Sequence, residues 1–271
     1  MNRIDELFTD LRRRGRKALM PYLTVGDPDL ATTGRLLGTL ESAGASVVEL
    51  GIPFSDPIAD GPVIQASMSY ALERGLRLEQ IFEMVAERRE QLDLGLVAMT
   101  SYSIVHRIGI KRFTADAAAA GFDGLVLPDL PLEEATQAAE TAANSGLILS
   151  MLIAPTTADP RAQQIARASS GFVYVLSRIG LTGEQEALPP ELPDRIRHLQ
   201  GVTDLPIAVG FGISHDQHVR QVVNVADAAI VGTAVMRRIA EHRSRGSEAV
   251  IQAVDGFTRQ LAGGLTSGID S

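Results

Sequence analysis

Short apolar runs rich in β-branched residues alternate along the chain with longer stretches in which apolar positions recur at i, i+3 and i+4. This alternation predicts βα units that feed a parallel sheet. Eight strands are expected, near residues 19–24, 46–51, 94–99, 123–128, 147–153, 171–176, 205–210 and 227–232. Helical stripes lie between and after them, as in Leu36-Leu37-Leu40 and Val250-Val254-Phe257-Leu261, and are expected to form an outer layer. Three segments resemble one another: Ala43 to Leu50, Ala120 to Leu127 and, less closely, Asn224 to Val231. Each puts a small-residue turn ahead of a strand. Their spacing is unequal, which argues against a solenoid and for a closed barrel.

The expected fold is therefore α/β, a single (β/α)8 barrel of the TIM type with an additional N-terminal helix, filling residues 1–271 as one domain. An open doubly wound sheet stays compatible with the pattern, because period alone does not show closure. Apolar residues make up 45% of the chain and charged residues 21%, enough to bury a core and too apolar for disorder. The absence of cysteine rules out a disulfide framework, a thiolate metal site and a cysteine nucleophile. A formal charge of −8 argues against a nucleic-acid partner. The basic run Arg12-Arg13-Arg14-Gly15-Arg16-Lys17 reads as a solvated face on or just after the first helix. The charged N-terminus, Met1 to Phe8, has no signal-peptide core, and no apolar run is long enough to span a membrane, so a cytoplasmic location and no membrane partner are expected.

In either architecture the working residues lie just past the C-terminal ends of the strands. Strand two reads Val47-Val48-Glu49-Leu50-Gly51, and its period of two puts Glu49 on the face of Val47, pointing into the mouth. A carboxylate in apolar surroundings acquires a raised pKa or a dedicated partner, so Glu49 is equally a proton-transfer group and a paired structural residue. Asp56 and Asp60 follow on a loop rich in proline. On local grounds both suit turn chemistry, with Asp60 leading into Gly61-Pro62 at the start of a helix. Strands seven and eight end in glycine, at Gly210-Phe211-Gly212 and Gly232-Thr233, each followed by a helix. Ser214 and Gln217 form a Ser-x-x-Gln capping box, so free N–H groups are expected there, at the usual phosphate site of such barrels. Tyr174 on strand six fits the core or offers its hydroxyl to the mouth. The glycine-punctuated segment after it reads as a lid.

Two absences narrow the chemistry. The only lysines, Lys17 and Lys111, sit ahead of strand one and on a predicted helix, so neither suits a Schiff base at a strand end. Of the five histidines only His215 and His218 are close in sequence, and they read as a surface pair rather than a metal site. No metal is expected.

The run Glu49-Leu50-Gly51-Ile52-Pro53-Phe54-Ser55-Asp56-Pro57-Ile58-Ala59-Asp60-Gly61-Pro62 resembles the signature of tryptophan synthase α subunits. Five further segments match that family's pattern in order: Pro21 to Pro28, Pro128 to Glu134, Ala154 to Thr157, Ser177 to Gly183 and Gly210 to Ser214. The resemblance implies retro-aldol cleavage of indole-3-glycerol phosphate to indole and glyceraldehyde 3-phosphate. Glu49 would protonate indole C3, Asp60 would stabilise positive charge on the indole nitrogen, and Tyr174 would assist. It assigns Gly183, Phe211, Gly212, Gly232 and Thr233 to the phosphate, Tyr22 to the indole pocket and residues 178–189 to the lid, with Thr182 coupling lid to Asp60. It further implies no cofactor in this chain, and an αββα heterotetramer with a β subunit that carries pyridoxal phosphate and receives the indole. One segment departs: Thr100-Ser101-Tyr102-Ser103-Ile104 stands where the family usually has a Thr-Tyr-Tyr-Asn-Pro-like run, which bears on partner coupling. A stand-alone lyase, a ligand-binding activator of the β subunit, and an isomerase or epimerase on the same barrel are the competing readings.

Overall fold

The computed structural model describes residues 2–57, 60–177, 189–210 and 212–265. Its strands are β1 (Ala18–Thr24), β2 (Val47–Gly51), β3 (Gly95–Met99), β4 (Gly124–Val126), β5 (Ile148–Ser150), β6 (Leu152–Ile153), β7 (Val173–Leu176), β8 (Ile207–Gly210) and β9 (Ala228–Val231). The helices are α1 (Arg3–Arg13), α2 (Leu30–Ser42), α3 (Pro62–Leu72), α4 (Leu78–Arg89), α5 (Tyr102–Ile108), α6 (Ile110–Ala120), α7 (Leu132–Asn144), α8 (Asp159–Ala168), α9 (Leu192–Gln200), α10 (Asp216–Val223), α11 (Thr233–His242) and α12 (Ser247–Gly263).

All strand pairings are parallel, in the order β5-β4-β3-β2-β1-β9-β8-β7-β6. The row begins with β5 and ends with β6, and only Met151 separates those two along the chain. The sheet therefore closes through its own backbone into a (β/α)8 barrel, which removes the doubly wound alternative. The fifth expected strand, 147–153, is thus two short ones. Its N–H groups turn to side chains at the seam: Leu149 donates to the Ser170 hydroxyl at 2.9 Å and Met151 to the Ser169 hydroxyl at 3.3 Å, where a neighbouring strand would otherwise accept.

The internal similarity has a physical basis. Asp123 and Asp227 occupy matching places just ahead of β4 and β9, and each carboxylate accepts the N–H that opens the preceding stretch, from Leu96 at 2.8 Å and from Ile207 at 3.0 Å. In two of the three similar segments the turn thus fastens one strand to the next. The expected stripes are buried, Leu36, Leu37 and Leu40 on α2 and Val250, Val254, Phe257 and Leu261 on α12. α1 covers the end of the barrel where strands begin: Ile4 and Phe8 are buried, and the Phe8 ring lies 6.1 Å from Phe172, just ahead of β7. The basic run behind it is largely exposed, with Arg14 paired to Asp10 and Lys17 3.4 Å from Asp227.

Two local expectations are corrected. Ser214 does not cap α10; the N-cap is His215, whose Nδ1 accepts from the His218 N–H at 3.3 Å. The two histidines are not a surface pair, since His218 is buried and its ring stacks on His215 with centroids 3.7 Å apart. The Ser101 to Ile104 segment is largely helical: Ser101 caps α5, and Asp129 accepts from its hydroxyl and from the Tyr102 N–H, both at 2.6 Å.

Candidate active site

At the opposite end of the barrel from α1, strand ends converge on a narrow pocket. Tyr22 on β1 and Glu49 on β2 are register partners. Both line the pocket, together with Asp60, Tyr174 on β7, Ile64 of α3, Met99 of β3 and the segments Gly212 to Ser214 and Gly232 to Ala234. The free space is about 40 Å³. Seven expected site residues, Tyr22, Glu49, Asp60, Tyr174, Gly212, Gly232 and Thr233, thus meet at one place, Glu49 where β periodicity put it.

Glu49 is 1% exposed, and neither carboxylate oxygen has a hydrogen-bond partner among the described residues. Burial, and then the Asp60 carboxylate, push its pKa up to about 8, because an ion in an apolar cavity loses its hydration and repels a like neighbour. The paired structural reading of Glu49 finds no partner among the described residues. Asp60 is itself raised by burial to about 6. Its backbone carbonyl accepts from the Gln65 side chain at 2.7 Å, a side chain that also reaches Pro57 O at 3.2 Å, so α3 holds the loop from below. The helix-start reading is also met, with Pro62 in the first turn and Gly61 as N-cap. Asp60 serves both the turn and the pocket.

Tyr174 and Tyr22 are buried, and their phenols are shifted well above the ordinary range, first by burial and then by the neighbouring carboxylates. They stay protonated. Both depend on glycines whose role is absent from the sequence pattern: a Cβ on Gly51 would lie 2.0 Å from the Tyr22 hydroxyl, and one on Gly210 would lie 2.6 Å from the Tyr174 hydroxyl. Gly210 therefore makes room for a ring, while Gly212, at φ 77°, and Gly232 line the pocket. Gly232 N-caps α11 with no side-chain hydrogen bond of its own, and Thr233 follows as the first helical residue. Thr182, Gly183, Phe211 and the lid segment 178–188 lie outside the described residues.

Lys17 is tied to Asp227 ahead of β1 and Lys111 is exposed on α6, both away from Glu49. Among the described residues no group of three or more His, Asp or Glu side chains could hold a metal ion. Beyond Asp60 and Met99, which it shares with the pocket, lies a second and roomier cavity of about 620 Å³, walled by Phe54, Met68, Leu72, Ser101, Ile104 and Pro128 among others.

The groups gathered at this mouth suit proton transfer, with no lysine or cysteine at hand for covalent work, and place the chain among the acid/base enzymes built on (β/α)8 barrels. Comparison with known proteins narrows that class. The family model described as tryptophan synthase alpha chain matches residues 8–264. A tryptophan synthase alpha chain of Acaryochloris marina is 45% identical over 267 residues, covering 98% of both chains, and one of Thermosynechococcus vestitus is 47% identical over 240 residues, covering 88% of this chain and 90% of that one. The crystal structure of tryptophan synthase subunit alpha from Legionella pneumophila superposes with a TM-score of 0.89 at 34% identity, covering 98% of both chains. The chain belongs to the tryptophan synthase alpha chain family. It is a carbon–carbon lyase of tryptophan biosynthesis that cleaves indole-3-glycerol phosphate, needs no cofactor of its own and works with a beta subunit, to which pyridoxal phosphate belongs.

Proposed function

We propose that Glu49 and Asp60 divide the retro-aldol chemistry between them. Glu49, with its pKa near 8, holds a proton at neutral pH and delivers it to C3 of the indole ring. The positive charge that then develops on the ring nitrogen is balanced by Asp60, which is largely ionised at pH 7. The C3–C1′ bond breaks as the glycerol hydroxyl on C1′ gives up its proton to the Glu49 carboxylate, and the bonding electrons return to the ring. Indole and glyceraldehyde 3-phosphate result, and Glu49 is again protonated. Two carboxylates pushed to different pKa values by their surroundings are a recurrent way to obtain an acid and a base in one site.

Tyr174, a neutral phenol beside both carboxylates, supplies a hydrogen-bond donor that keeps its proton throughout. The substrate phosphate sits on the N–H groups of Gly212, Gly232 and Thr233, where the positive end of α11 favours an anion. Tyr22 flanks the indole. The chain works as one barrel domain in the cytoplasm, within an αββα assembly that receives the indole. No described helix is long and apolar enough to cross a membrane, in keeping with that setting.

The observation that carries this reading is the buried Glu49 carboxylate, without a hydrogen-bond partner among the described residues and set beside Asp60. Its test is indole release from indole-3-glycerol phosphate by the purified chain and by Glu49→Gln, with and without a beta subunit. Release that is lost in the variant and accelerated by the beta subunit is expected. Fast release indifferent to the beta subunit would favour a stand-alone lyase, and release unaffected by the substitution would remove Glu49 from the chemistry.

A further inference from the structure

The catalytic pocket is narrow, with room for about three ordered waters in about 40 Å³. The adjoining cavity has about 620 Å³. Among the described residues Asp60 and Met99 alone line both, so the way from one to the other runs past the carboxylate proposed to face the indole nitrogen. Met99 is a flexible, unbranched side chain that adapts readily to a new neighbour. The far cavity is lined by Phe54, Met68, Leu72 and Pro128, with the charged Asp56, Arg107 and Asp129 among its other walls. Two small residues also line it, Ser101, which is buried, and Ser103, which is exposed. Ser101 puts only a hydroxymethyl group on this wall.

We infer that the second cavity admits substituents on the nitrogen-side edge of the indole ring, so that the enzyme accepts indole-3-glycerol phosphates bearing a methyl or halogen at C7. The inference rests on the proposed placement of the ring nitrogen at Asp60. With the nitrogen there, C7, which is bonded to C7a and lies peri to the N–H, points along Asp60 and Met99 into the open cavity. C4, bonded to C3a, lies peri to C3 and the glycerol chain, on the side of Glu49 and the narrow pocket. Position on the ring, and not the size of the substituent alone, thus sets acceptance.

The test compares kcat/KM for indole-3-glycerol phosphate and its 7-methyl and 4-methyl derivatives. One methyl that fits or clashes in an apolar pocket changes discrimination by about 10- to 200-fold, so the 4-methyl compound is expected to fall by that factor. The 7-methyl compound should stay within about threefold of the parent, below that range. Ser103→Trp, at an exposed rim position, fills the cavity from outside. Ser101→Tyr fills it from within, at the risk of disturbing the bonds from Ser101 to Asp129 and Ser103. A 7-methyl to parent ratio at least tenfold lower in Ser103→Trp supports the inference. Equal penalties at C4 and C7 in the unaltered enzyme, or a ratio unmoved by both substitutions, overturn it while leaving cleavage of the parent intact. Failure of the chain to cleave the parent compound would instead overturn the site assignment, and this inference with it.

Discussion

Glu49 concentrates the cost and the use of this site in one side chain. The proposed mechanism uses it protonated and Asp60 ionised, so kcat/KM is expected to follow a bell with limbs near pH 6 and pH 8, the values set by their surroundings. Glu49→Gln should lose about 10²- to 10⁴-fold in rate, as expected when a positioned proton donor is removed. Asp60→Asn should erase the acid limb. The same shift governs stability. A carboxyl whose pKa is higher folded than unfolded binds more protons in the native state, so stability falls as pH rises from about 4.5 towards 8. At pH 7 the penalty is about 3 kcal/mol. Glu49→Gln should therefore be little changed in stability near pH 4 and clearly stabilised at pH 8, by urea titration at both. An equal effect at both pH values would show that Glu49 is not held as described. Much of this was legible in the chain: the period of two put Glu49 in the mouth. The roles of Gly51 and Gly210 were not, because their constraint comes from tyrosines on other strands, and no local pattern records that.

At the scale of elements, the strand and helix pattern was legible because burial is periodic, and the stripes on α2 and α12 lie where they were expected. The break at Met151 was not, since the run Leu147 to Ile153, with Ser150 within it, reads as one strand and carries no mark of where its hydrogen bonds change partner. Nor was the cap of α10: a serine in a capping-box spacing is a good local signal, but the chain passes into the helix one residue later and the His215 ring does the work. The seam is open to test. Ser170→Ala removes the acceptor for the Leu149 N–H in a buried stretch and should cost about 1–3 kcal/mol. Amide exchange should quicken at Leu149 before other strands; uniform acceleration across the barrel would argue against a local seam.

For the whole molecule, the barrel brings four side chains from positions 22 to 174 into one pocket, and closure is what makes them neighbours. Sequence order alone gave no reason to join Tyr22 to Tyr174; the family resemblance did, and the ring of strands supplies the physical cause. Assembly belongs to this scale too. Mixed with a beta subunit, the chain should elute at the mass of an αββα complex, and indole release should quicken at the same ratio of subunits; acceleration without complex formation would count against the proposed assembly.

The continuity of β5 and β6 across Met151 has a further meaning for how the molecule can be rearranged. A circular permutant opened at Met151 would release the one place where covalent bonds hold the ring shut. It would leave a flat row of strands with two bare borders, each ready to recruit another chain. Opened instead between α11 and α12, outside the strands, the same sequence would keep its ring, and the contrast between a soluble and an aggregating permutant would show how far this barrel depends on one uncut peptide.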